Sequence, residues 1–65
     1  MAPTFDRELR RRLLDAGCKP VRPGKGSHEI WSSPVAGRNF PVPTGIVSRH
    51  TANEILKQAG LPKAF

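Results

Sequence analysis

Apolar side chains recur along this chain in two rhythms. From Phe5 the spacing is helical: Phe5, Leu9, Leu13 and Ala16 fall on one stripe, and Gly17 stands where such a helix ends. Thr4 is the expected cap of that helix, with Asp6 and Glu8 suited to its positive end. The rhythm then changes to short extended segments, predicted as strands over Cys18–Arg22, Ser27–Ser33 and Arg38–Val42. Two turns divide them, Pro23-Gly24-Lys25-Gly26 and Pro34-Val35-Ala36-Gly37. Pro20 assigns the first strand to an edge, and Pro41 and Pro43 do the same for the third, because proline donates no ladder hydrogen bond. Strands joined this closely form an antiparallel meander. Beyond a loop, Thr44–His50, the run Thr51-Ala52-Asn53-Glu54 has the form of a capping box. Ala52, Ile55, Leu56 and Ala59 supply a second helical stripe, closed by Gly60, Leu61 and Pro62. The predicted fold is α+β in the order α-β-β-β-α, a three-stranded antiparallel sheet with both helices on one face.

Sixty-five residues suit one domain, 1–65, with a small core. The charge changes the picture more than the size does. Eleven lysines and arginines against five acidic residues give +6, which predicts an anionic partner, nucleic acid before an acidic protein or a membrane surface. Seven of the eleven cations lie in residues 1–25, four of them on the first helix. That arginine run is either an RNA-facing surface or a solvated face balanced by the pairs Asp6–Arg10, Glu8–Arg12 and Arg11–Asp15. No apolar run approaches the roughly 20 residues of a membrane span. Met1–Thr4 show no export pattern, so the expected compartment is the cytoplasm. A single cysteine, Cys18, forms no internal disulfide and is expected as a small buried apolar residue. Two histidines and one cysteine fall short of a structural zinc site, so no metal and no cofactor is expected.

Reactive side chains gather in Gly24-Lys25-Gly26-Ser27-His28-Glu29-Ile30-Trp31. A histidine after a Gly-Lys-Gly turn stands where a phosphodiester can approach the backbone closely. An imidazole, with an ordinary pKa of about 6.5, takes or gives a proton near neutrality. RNA cleavage requires that exchange: a base removes the 2′-hydroxyl proton, the oxygen attacks phosphorus, and an acid protonates the departing 5′-oxygen. Neighbouring cations stabilise the added phosphate charge. On residue types alone, a hydrogen-bonded structural histidine fits the same position. Trp31 either stacks on a base or packs in the core, and packing suits so large an aromatic better. Alternation puts His28 and Ile30 on one face of their strand and Glu29 and Trp31 on the other.

Gly26-Ser27-His28, followed by Trp31, resembles the Gly-Ser-His motif of the HicA toxin family. Ile55-Leu56-Lys57-Gln58-Ala59-Gly60, within Thr51–Leu61, resembles that family's last helix. The likeness runs through nearly the whole chain in order. It implies a fold like a double-stranded-RNA-binding domain, an activity as an mRNA-cleaving toxin, and an inhibitory antitoxin of the HicB type; because the sequence shows no paired-carboxylate or metal constellation, any cleavage is expected to be metal-independent. Carried over residue by residue, it makes His28 the catalytic group and has Gly26 and Ser27 shape its approach. Lys25, Arg22 and Arg38 are the candidate phosphate contacts. Glu29 stands where many members of the family have a second histidine, and His50 is the candidate for a second proton-transfer group; its plainer role is an exposed loop residue. Two other readings keep the same charge: a non-catalytic RNA-binding module, and an interaction domain for an acidic protein.

Overall fold

The computed structural model describes residues 4–65, in which the two stripes close over one face of a sheet. Helix α1 is Asp6–Asp15, strands β1, β2 and β3 are Lys19–Pro23, Glu29–Ser33 and Arg38–Val42, and helix α2 is Arg49–Gln58. The sheet is antiparallel in the order β1-β2-β3, so the predicted architecture is the observed one. Leu9 and Leu13 of α1 meet Ala52, Ile55 and Leu56 of α2 above Trp31, Phe40 and Val42. Cys18, Ile46 and Ala59 complete this buried set. One buried polar side chain sits among them. Ser33 Oγ donates to the Ala59 carbonyl at 2.6 Å and accepts from the Ala36 N–H, tying β2 to the end of α2.

Both helices end alike. At α1 the Cys18 N–H reaches the Leu13 carbonyl and the Gly17 N–H the Leu14 carbonyl; at α2 Leu61 and Gly60 do the same with Leu56 and Lys57. These are paired Schellman bonds, and they need the left-handed backbone that Gly17 (φ 90°) and Gly60 (φ 80°) adopt. Cys18 therefore belongs to the cap, and β1 begins one residue later than predicted.

The helix starts differ from expectation. Thr4 does not cap α1; Phe5 occupies the cap position without a side-chain bond. Asp6 accepts instead from the Gly45 and Ile46 N–H groups, both at 2.8 Å, while the Phe5 N–H donates to the Ile46 carbonyl. A loop some 40 positions along the chain thus anchors the helix. Nor does Thr51 open α2. Ser48, extended at φ −110° and ψ 125°, accepts from the Thr51 N–H at 3.5 Å, so the helix begins at Arg49 and takes in His50. Asn53 turns instead to the end of the chain, where its amide holds the Ala64 and Phe65 N–H groups and the Phe65 carbonyl. That clasp seats the Phe65 ring edge-on to Phe5, with the Arg12 guanidinium over its face.

Arg10 does not pair with Asp6. It crosses to Glu29 at 2.8 Å, while Glu8–Arg12 forms as expected at 3.1 Å; Arg11–Asp15 is not among the ion pairs of the described residues. Pro20 lies in edge strand β1 and Pro41 in edge strand β3. A strand proline is tolerated where its missing N–H would face outward, so each open edge lacks a donor.

Candidate active site

The β1–β2 turn is a closed loop. The Gly24 N–H donates to the His28 carbonyl at 2.9 Å, and the His28 N–H returns to the Lys25 carbonyl at 3.2 Å. This holds Ser27 and His28 in the turn, and β2 starts at Glu29 rather than at Ser27. Gly26 carries the left-handed conformation, φ 64°, that the reversal needs. Gly24 is needed for a different reason: a Cβ there would stand 3.0 Å from the His28 carbonyl oxygen and 3.3 Å from its Cβ.

Among the described residues the imidazole makes one hydrogen bond. Its Nδ1 lies 3.1 Å from the Lys25 carbonyl oxygen. A carbonyl only accepts, so Nδ1 carries the proton and Nε2 is left with the lone pair or, in the cation, with a second proton to give. The side chain is exposed, on a turn beside Lys25. No carboxylate orients it. Glu29, the next residue, points to the helix side, where it holds Arg10 and lies 3.4 Å from Trp31 Nε1.

Register settles which face of the sheet is covered. Trp31 opposes Pro20 and Phe40, and Trp31 and Phe40 are buried under the helices. Trp31 is therefore a core residue. Ile30 opposes Arg22 and Pro41 on the outer face, the side that alternation gives to His28. Arg22, Lys25, Gly26, Ser27 and His28 thus come together on one hairpin.

Arg38 and His50 do not join them. Arg38 pairs with Ser33 at the other end of β2, about 13 Å along the strand from Glu29, and its Nε donates to the Gln58 carbonyl at the end of α2. His50 lies exposed in the first turn of α2, and no hydrogen bond or ion pair of the described residues links it to the hairpin. Among the described residues, no three His, Cys, Asp or Glu side chains gather as a metal site would require. No described helix is long and apolar enough to cross a membrane.

Gly24 and the Lys25 carbonyl were not singled out from the sequence. The signal was present in the two glycines flanking Lys25, but the approach of Gly24 to His28 is a property of the folded loop. Gly24→Ala is expected to displace the imidazole and slow any reaction it performs by about 10–100-fold, given the cost of ångström-scale misplacement. The expected thermal midpoint is near the parent's, because the turn lies outside the core. Unchanged activity would show that the loop does not position the histidine.

Residues 7–61 match the family model described as the HicA toxin of bacterial toxin–antitoxin systems. No curated protein and no solved structure matches the chain closely enough to add to this.

Proposed function

The chain belongs to the HicA family of bacterial toxins, the toxin half of toxin–antitoxin pairs, and on that premise we propose that it cleaves mRNA with His28 as its acid–base group. The observation that carries the proposal is the hydrogen bond from His28 Nδ1 to the Lys25 carbonyl. It orients the ring and leaves Nε2 without a protein partner among the described residues, on an exposed turn.

The chemistry is balanced with one imidazole. Nε2 takes the 2′-hydroxyl proton, the 2′-oxygen bonds to the adjacent phosphorus, and the bond from phosphorus to the 5′-oxygen breaks. The imidazolium returns its proton to that leaving oxygen. The products are a 2′,3′-cyclic phosphate and a 5′-hydroxyl, and the histidine is restored. Lys25 and Arg22 supply positive charge as the phosphate gains negative charge in the transition state. Gly26 and Ser27 leave the backbone open to the phosphodiester. Arg38, at the far end of the sheet, is left for the flanking chain of a longer RNA.

The reaction is proposed as metal-independent and cytoplasmic, with a HicB-type antitoxin covering the His28 turn and setting acidic groups against its cations. Such complementarity speeds association and fixes orientation. Incubating the protein with a defined RNA in excess chelator tests the mechanism. Cleavage at an undiminished rate, ending in cyclic phosphate, is expected. Loss of cleavage in chelator, restored by a divalent cation, would refute a metal-free route.

A further inference from the structure

The outer face of the sheet has an unusual charge composition. All five carboxylates of the chain lie elsewhere: Asp6, Glu8 and Asp15 on α1, Glu54 on α2, and Glu29 turned to the helix side against Arg10. The outer face instead presents two cross-strand rows. Lys19, Ser32 and Asn39 form one; Arg22, Ile30 and Pro41 form the other, nearer His28. Lys19, Arg22 and Asn39 are exposed, and neither the Ser32 nor the Asn39 side chain makes a hydrogen bond within the described residues.

We propose that this open sheet face is the docking surface for single-stranded RNA, with Lys19 and Arg22 on its phosphates and Asn39 with Ser32 reading a base edge. The inference rests on the RNA-cleaving reading above and extends it to substrate class and sequence choice. Charge decides the occupant: a cationic face without carboxylates, continuous with the His28 turn, suits a polyanion. The arginine groove along α1 is the weaker candidate, because Asp6 and Asp15 line it and Arg10 is engaged by Glu29. A flat face also suits an unstacked strand, whose bases splay and expose their edges to side chains. An amide that both donates and accepts is the group that discriminates among those edges. Asn39 lies about 13 Å along the strand direction from His28, so it reads a nucleotide flanking the cut. Trp31 and Phe40 face the core, so the outer rows contain no aromatic ring to stack bases and charge dominates affinity.

Binding of a mixed-sequence single-stranded RNA to isotope-labelled His28→Ala protein tests the face without turnover. The largest amide shifts are expected at residues 19, 22, 32 and 39. Lys19→Ala and Arg22→Ala are each expected to reduce the slope of log affinity against log salt by about 0.7. Separately, Asn39→Ala with Ser32→Ala in otherwise unaltered protein should redistribute the cut sites. Shifts confined to α1, unchanged cut sites, or equally tight binding of polyglutamate to the sheet would each overturn the proposal. If RNA docks on the sheet but the parent protein leaves it intact, the cleavage reading falls and the docking face stands. If the parent cleaves RNA with the sheet silent, the reverse holds.

Discussion

His28→Ala is expected to lower RNA cleavage by about 10²–10⁴-fold, the range for loss of a positioned proton-transfer group. RNA affinity should change little, because Lys25, Arg22 and the sheet cations remain. Stability should also hold, since the side chain is exposed and its one hydrogen bond among the described residues is to a carbonyl that also receives the His28 backbone N–H. Single-turnover cleavage, RNA titration and a thermal melt on the same preparation separate the three quantities. Cleavage at the parent rate would leave a non-catalytic RNA-binding module as the better description. A residual rate that vanishes only with His50→Ala would bring His50 into the chemistry.

Trp31→Ala should have the opposite signature. Truncating a large buried aromatic costs about 3–5 kcal/mol, the transfer energy of the ring plus the cavity it leaves. A 65-residue domain has in total only about 3–10 kcal/mol, at roughly 0.05–0.15 kcal/mol per residue. The variant is therefore expected to lose much of its stability and, at the lower end of that range, to be unfolded at 25 °C, with loss of far-ultraviolet dichroism and of dispersed amide resonances. Trp31→Phe, which retains most of the packing volume, should fold and still bind RNA. An alanine variant that folds as well as the parent yet loses RNA affinity would make Trp31 a base-stacking residue after all.

The helical stripes and their glycine ends were legible because they are local: Leu9 with Leu13, and Ile55 with Leu56, are set by a 3.6-residue period. The helix starts were not. Asp6 bonds to amides 39 and 40 residues away, and Arg10 prefers Glu29 across the sheet to the carboxylate one turn back. Each group had two partners of similar chemistry, and only the packed loop 44–48 and strand β2 bring the distant one near. The misplaced start of α2 has the same origin. Thr51 and Glu54 satisfy the capping pattern, but Ser48 already stands extended where the loop leaves Ile46 in the core.

The candidate site shows the same division. His28, Gly26, Ser27, Lys25 and Arg22 group together in the sequence because they are neighbours along one hairpin. Arg38 looked equivalent by charge, and only strand register puts it at the opposite end of the sheet. Alternation separated His28 from Trp31 but left open which face was covered. The choice follows from Phe40 opposing Trp31: two large rings across one ladder must share the dry side.

The prolines at the two borders of the sheet bear on assembly. With the donor row broken at Pro20 and again at Pro41, main-chain pairing of a foreign segment or of a second copy along either border is disfavoured. An inhibitor for which that mode is disfavoured is expected to grip through side chains, against lysines and arginines that water still reaches. A hold of that kind is screened by dissolved ions, so neutralisation would loosen as ionic strength rises while the fold itself stays intact.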